Sequence, residues 1–164
     1  MIKLICLNFL SMIFFYNCQT AERATIIMPI GFKGDVTIIF NQKNGSSTKY
    51  ENGRRIYEIP SDGVLITKFT SDYGFTDFQY YYIDSLKNKV MLRKFSNAEE
   101  SKLSNVIGIF GSGTMGTYGN SGDSNSIEYL EFSVSNYEYL NTISTKEYKN
   151  KFRQKIVEKV GYDF

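Results

Sequence analysis

Between Glu22 and Phe95 the apolar, β-branched and aromatic residues fall in short runs, each closed by turn residues. Arg23 to Met28 ends at Pro29, and Gly31 and Gly34 precede Val36 to Phe40. Arg55 to Ile59 stops at Pro60-Ser-Asp-Gly63, and Val64 to Phe69, Phe78 to Asp84 and Lys89 to Phe95 follow. Asn44-Gly45 and Asn52-Gly53 punctuate the polar stretches between them. Short strands at roughly 8–12-residue spacing predict an antiparallel β-sandwich or a partly open barrel. Beyond Phe95 the pattern changes. Ser96 to Glu99 has the spacing of a capping box, and Val106 to Phe110 reads as a strand. Gly108 to Gly122 holds six glycines in fifteen residues and reads as a flexible loop. Ser126 to Val134 reads as a strand with Leu130, Phe132 and Val134 on one face. Ser144 to Glu147 is a second capping-box pattern, and the Tyr148, Phe152, Ile156 and Val160 stripe behind it predicts an amphipathic helix. The expectation is one α+β domain, mainly β, over residues 23–164.

An apolar segment of another kind precedes these runs. Lys3 is followed by mostly apolar residues up to Tyr16, then by Asn17-Cys18-Gln-Thr. One positive charge and a short apolar run match a secretory signal peptide, expected here over residues 1–17. A permanent membrane span needs about 20 apolar residues, more than this run supplies. A buried first strand or helix is the other reading of the segment. Its end resembles a bacterial lipoprotein signal, in which the cysteine after the apolar run is lipidated and becomes the first residue. Asn17 stands where a small residue is usual, and Phe15 where leucine is usual. The resemblance implies lipidation of Cys18, a tether over residues 18–22 and attachment to a membrane of the cell envelope. A plain signal peptide cut near Cys18 would instead give a secreted protein. Cysteine usage bears on the choice. The chain has only Cys6 and Cys18, and Cys6 would leave with the signal. An exported domain would then keep one unpaired thiol, which is unusual unless the thiol is modified.

Charge and composition narrow the chemistry. Loss of Lys3 lowers the formal net charge from +2 to +1, which gives no reason to expect nucleic acid. The chain has no histidine, so Ser–His–Asp and Cys–His catalysis and His-dependent zinc sites are excluded. No catalytic residue and no cofactor is expected. Gly111-Ser-Gly113-Thr-Met-Gly116 has the letters of a dinucleotide-binding loop without the strand–turn–helix context that motif needs. Asp72 with Asp77, and Asp123-Ser-Asn125 with Glu128, lack the glycine and the further acids of a calcium loop and read as turn residues. In Phe78 to Tyr82, strand alternation puts Phe78, Tyr80 and Tyr82 on one face and Tyr81 on the other. Tyr81, with Tyr57 and Tyr73, is the candidate partner-binding surface, for an envelope protein or a glycan. The last helix carries Lys146, Lys149, Lys151, Arg153, Lys155 and Lys159. It is expected to cover an open sheet face with its lysines in water, and an anionic membrane surface is the alternative.

Three segments, taken in order, carry a resemblance to a known family: Met28-Pro-Ile-Gly-Phe-Lys-Gly34 leading into Val36 to Phe40, Arg55 to Thr67, and Tyr80-Tyr-Tyr-Ile-Asp84. From Ala24 to Arg93 the chain resembles domain of unknown function 6843, an uncharacterised bacterial family often found behind lipoprotein signals. It departs from that pattern at Ile30, where an acid is expected, and at Asp35, where a large apolar residue is usual. The resemblance transfers no catalytic or binding residue. The strand–turn order is also similar to transthyretin-like and carboxypeptidase-regulatory-like sandwiches, accessory binding or spacer modules. The expected function is therefore a lipid-anchored, non-enzymatic binding or accessory module. A carboxylate-dependent hydrolase of envelope polymers and a spacer without a ligand are the alternatives.

Overall fold

The structure, a computed structural model, describes residues 20–74, 76–97, 100, 102, 106–119 and 126–161. The signal segment, Cys18, Asp123 and Asn125 lie outside them. The strands are β1 (Ala24–Pro29), β2 (Gly34–Ile39), β3 (Tyr50–Glu51), β4 (Arg54–Glu58), β5 (Val64–Ile66), β6 (Phe78–Ile83), β7 (Lys89–Met91), β8 (Arg93–Lys94), β9 (Gly108–Tyr118) and β10 (Ile127–Ser135). Two helices, α1 (Tyr137–Ile143) and α2 (Lys146–Val160), follow them. Two five-stranded sheets result, in the orders β3-β4-β1-β6-β7 and β5-β2-β10-β9-β8. The expected mainly β sandwich with a C-terminal helix is present.

Both sheets are mixed. β1 runs parallel to β4 and β6, while β3–β4 and β6–β7 are antiparallel. In the second sheet β10 is antiparallel to β2 and β9, whereas β5 and β8 join in parallel. The reason is the path of the chain. After β1 it crosses to the second sheet for β2, returns for β3 and β4, and crosses again for β5. Strands reached by such crossovers re-enter in the same direction, as parallel pairing requires. Lys89 to Phe95, expected as one strand, divides at Leu92: the buried Leu92 keeps its N–H on the Tyr80 carbonyl at 2.8 Å, and β8 then joins the other sheet.

Side-chain alternation fills the space between the sheets. β1 contributes Ala24, Ile26 and Met28, β4 contributes Tyr57, and β6 contributes Tyr80 and Tyr82. They meet Val36 and Ile38 from β2, Leu65 from β5, Ile109 from β9, and Leu130, Phe132 and Val134 from β10. The aromatic rings meet edge to face, Tyr80 on Phe132 at 5.1 Å and Tyr57 on Phe69 at 5.4 Å. Burial pushes the phenol of Tyr80 up to about 12, and its hydroxyl lies 2.7 Å from Ser112 Oγ. Near the start of the described residues Arg55 is buried over the Phe69 ring, with its Nε on Glu22 at 2.8 Å and Nη1 on the Thr70 carbonyl at 2.7 Å. Beside it Arg54 pairs with Asp77 at 2.7 Å.

Of the expected glycine-rich loop, Gly108 to Tyr118 instead form β9, an eleven-residue strand, and residues 120–122 lie outside the described residues. Its glycines serve close packing. A Cβ on Gly116 would lie 2.6 Å from the Tyr129 hydroxyl, where the Tyr118 and Tyr129 rings stack at 4.0 Å. At Gly108 a Cβ would strike the Phe95 ring and the Arg93 carbonyl. Gly111 and Gly113 have φ of 67° and 84°, which glycine adopts without the strain a Cβ brings. They shape a bulge: Thr114 pairs with Glu131 and Phe110 with Ser133, so three residues of β9 face Phe132 alone.

The two helices begin at side-chain caps. Asn136 accepts from the Tyr139 N–H, and Thr145, one residue later than expected, accepts from the Tyr148 N–H. Near Ser96, Asn97 Oδ1 accepts from the Glu100 N–H at 2.9 Å; Glu99, the last residue of the expected capping box, lies outside the described residues. The predicted stripe of α2 packs on the second sheet, where Phe152 and Ile156 are buried against Ile39, Val64 and Ile127, flanked by Tyr148 and Val160. Ile156→Ala should therefore lower unfolding stability by about 2–5 kcal/mol. Lys151→Ala, on the exposed side of the same helix, should change it by less than about 0.5 kcal/mol, and urea denaturation of the two variants measures the contrast.

Candidate functional site

The second sheet turns one face to the interior and the other to α2. Most positions facing the helix are apolar, as at Ile39, Val64 and Ile127. Near one end of β2 the pattern breaks, because Asp35, Thr37, Glu131 and Ser133 face the helix side by side. Their register pairs Asp35 with Ser133 and Thr37 with Glu131. The two acids occupy diagonal positions, whose backbones lie about 7–8 Å apart.

A groove of about 330 Å³ opens over these residues. Its floor includes Asp35, Glu131 and Ser133, its far wall Phe110, Gly111, Thr114 and Tyr118 from β9, and its near wall Lys149, Phe152, Arg153 and Ile156 from α2. Phe132 and Val36, which belong to the inner layer, also reach it. The β9 bulge explains this: with three residues opposite Phe132, the β9–β10 ladder is interrupted beside the groove.

Every carboxylate oxygen pairing on the floor involves a different donor. Asp35, only 6% exposed, accepts from Ser133 Oγ at 2.6 Å and from Lys149 Nζ at 2.5 Å. Its N–H donates to the Tyr148 hydroxyl at 3.0 Å. Glu131 Oε1 accepts from Thr37 Oγ1 at 3.3 Å and from the Tyr118 hydroxyl. Burial and then the adjacent Glu131 carboxylate push the Tyr118 phenol far above its ordinary range, so Tyr118 remains a proton donor. At the other end of α2, Lys159 binds the Asp62 carboxylate at 2.7 Å and the Val64 carbonyl at 2.6 Å. Two lysines of α2 therefore tie it to the sheet, and the expectation that its lysines all stay in water is corrected. An acid on a strand buried on both faces needs a cation, and α2 is the element within reach.

The residues singled out from the sequence lie elsewhere. Tyr57 is 3% exposed and sits in the core against Phe40 and Phe69, so it belongs to no surface. Alternation on β4 sends Tyr57 inward with Arg55 and turns Ile56, itself buried, and the exposed Glu58 to the opposite face of the sheet. Tyr81 is half-buried on the outer face of the first sheet, its hydroxyl on Gln79 at 3.3 Å. Tyr73 is 45% exposed in a loop and donates to Glu128 at 3.1 Å. The three tyrosines form no common surface. Gly111 and Gly113 sit in a strand bulge rather than a phosphate-binding turn. Asp77 is engaged by Arg54, and Asp72 accepts the Glu22 N–H at 2.7 Å. No group of side chains among the described residues is arranged to hold a metal ion.

Asp35, Glu131, Lys149 and Arg153 carry no motif, which is why the sequence did not single them out. A signal was present nonetheless. Asp35 stands where the related family has a large apolar residue, and Lys149 and Arg153 are one helical turn apart beside the apolar stripe.

Comparison with known proteins bears on the fold and the family. The model of DUF6843, a family of unknown function, matches residues 20–143, and the chain belongs to that family. No curated protein sequence matches the chain. Among solved structures, a candidate lipoprotein from Bacillus anthracis superposes with a TM-score of 0.57 at 13% identity, covering 89% of this chain and 99% of that one. The likeness establishes a shared fold.

The docking of α2 should depend on acid. Burial of Asp62 disfavours its ionised form, but the Lys159 ammonium and the Val64 N–H outweigh burial and hold its pKa below the ordinary 3.8. A depressed folded-state pKa adds stability above the unfolded value and loses it as pH falls through the folded one. Stability should therefore fall below about pH 4, and Asp62→Asn should be less stable at neutral pH with a flatter acid limb. Thermal unfolding from pH 7 to pH 2.5 in low salt checks this.

Proposed function

We propose that this member of DUF6843 is a lipid-anchored protein of the cell envelope whose sandwich holds a ligand in the groove beneath α2 and performs no chemistry on it. The anchor reading rests on the N-terminal pattern ending in Cys18, and the fold shared with a candidate lipoprotein supports it. Lipid on Cys18 would leave only a few residues before Glu22, whose carboxylate is held by Arg55 and Tyr50. The domain would therefore stand close to the membrane surface, since each residue spans at most about 3.6 Å.

One observation carries the binding reading: Asp35 has a donor on each of its oxygens, and Oε1 of Glu131 has two. Asp35 is neutralised by Lys149, and Glu131 receives two hydroxyls. A glycosidase needs one carboxyl able to give a proton and a second free to attack or to activate water. Two groups held in this way suit recognition better than turnover. Their place on one face at diagonal positions is the observation that favours the alternative, hydrolysis of an envelope polymer, because such enzymes use a pair of carboxyl groups about 5–10 Å apart.

Two measurements test the proposal. Radiolabelled palmitate should enter the wild-type protein in cells and not Cys18→Ala; label that survives the substitution would remove the anchor from this residue. Purified protein should release no reducing ends from cell-wall glycan. Release that disappears in both Asp35→Asn and Glu131→Gln would establish the hydrolase instead.

A further inference from the structure

Of the aromatic side chains among the described residues, only Tyr50 and Tyr73 are exposed, at 54% and 45%. Both stand at the end of the sandwich where the chain enters β1. Tyr50 donates to the Glu22 carboxylate at 2.8 Å, and Asp72, next to Tyr73, accepts the Glu22 N–H at 2.7 Å. Gly53, in the turn between β3 and β4, lines a cleft with Thr20, Tyr50 and Asp77. Taken with lipidation of Cys18, on which this inference rests, we infer that this end of the domain lies on the bilayer surface, with the rings of Tyr50 and Tyr73 in the headgroup layer.

The length of the tether selects a lipid surface as the occupant. Four residue steps separate Cys18 from Glu22, at most about 14 Å of extended chain. Beyond that the chain is fixed. Arg55 holds the Glu22 carboxylate at 2.8 Å, Ala21 is buried, and the Ala24 N–H donates to the Asp77 carbonyl at 3.2 Å. The surface around Glu22 is therefore kept beside the headgroups. Confinement of this kind makes a contact intramolecular, at an effective concentration in about the millimolar range, so two rings suffice where a free domain would need many.

The chemistry of this end fits such a layer. Tyrosine has an apolar body and a polar tip, and it is enriched at membrane–water interfaces. Both hydroxyls already have partners in the protein, Tyr50 on Glu22 and Tyr73 on Glu128, so the rings can leave water without stranding a donor. The acids beside them are also engaged: Glu22 by Arg55, Asp77 by Arg54 and Glu128 by Ser71. The contact therefore requires no anionic lipid.

Other faces fit the bilayer less well. A helix that lies in a membrane surface buries its apolar face there, whereas Phe152 and Ile156 of α2 are buried against the sheet. Ile30 and Leu86 are exposed at the opposite end, beyond the six residues of β1 and about 20 Å from the clamp on Glu22.

The test is power-saturation electron paramagnetic resonance on the lipidated protein, purified from cells and reconstituted in phosphatidylcholine vesicles. With Cys18 lipidated and Cys6 removed with the signal, the chain has no other thiol, so one nitroxide can be placed at Asn52→Cys, Leu86→Cys or Lys155→Cys. The Asn52→Cys label should lose access to a water-soluble nickel chelate and gain access to oxygen. The other two labels should stay open to the chelate, and adding phosphatidylglycerol should change none of the three. Tyr50→Ser combined with Tyr73→Ser should return the Asn52→Cys label to water while palmitate stays on Cys18. Equal chelate access at all three labels would show a domain loose on its tether, and shielding at Leu86→Cys or Lys155→Cys another face on the membrane; either result overturns the inference. So does shielding that survives the double serine substitution. The three labels are read in protein that keeps both tyrosines, so a serine variant that fails to fold leaves the test decisive. Palmitate labelling decides the anchor separately: protein that carries palmitate on Cys18 and shows no shielding keeps its anchor and loses only this contact.

Discussion

Burial of β2 on both faces is the constraint from which the rest follows. All six of its residues, Gly34 to Ile39, are withdrawn from water. Val36 and Ile38 face the first sheet, and Ile39 faces α2. A strand apolar on one side can lie at a protein's surface, but one apolar on both needs a layer on each. The first sheet supplies one layer and α2 the other. Removing the helix would expose Ile39, Val64 and Ile127 together, a contiguous patch of the kind that drives association.

The same constraint gives Asp35 its importance. A carboxylate on a doubly covered strand loses its hydration and must recover it from protein donors. Ser133 from the neighbouring strand and Lys149 from the covering helix provide them, so the acid also sets where α2 lies. The bulge in β9 acts beside it. Two glycines at positive φ allow three residues to stand opposite one, and the sheet is interrupted where the helix crosses. Groove, buried acid and helix position are thus one arrangement seen from three sides.

This explains which parts of the sequence were readable. Strands β1, β2, β4, β6 and β10 were legible because each is a short β-branched or aromatic run with a turn at its end, and α2 because Tyr148, Phe152, Ile156 and Val160 repeat at one face of a helix. β9 was not legible, since Gly108, Gly116 and the bulge glycines look like flexibility until the rings of Phe95 and Tyr129 are seen to occupy the space a Cβ would take. α1 was hidden because its seven residues, Tyr137 to Ile143, show no full apolar stripe; only Asn136 with Glu138 in the first turn marked its start. The tyrosines followed a similar rule: alternation separates Tyr81 from Tyr80 and Tyr82 but does not tell whether Tyr57 looks inward.

What the amino-acid sequence determined by itself was local and chemical: the strands and the last helix, the absence of imidazole chemistry, and the membership that the turn and strand residues signalled. Those properties depend on side-chain type and on periods of two and 3.6 residues, and they need no knowledge of neighbours. The tertiary structure alone decided the mixed pairing of the sheets, the inward burial of Tyr57 and the meeting of Asp35, Glu131, Lys149 and Arg153 around one groove. Asp35 and Lys149 are 114 residues apart in the chain, and only the path of the chain between the sheets brings their charges together.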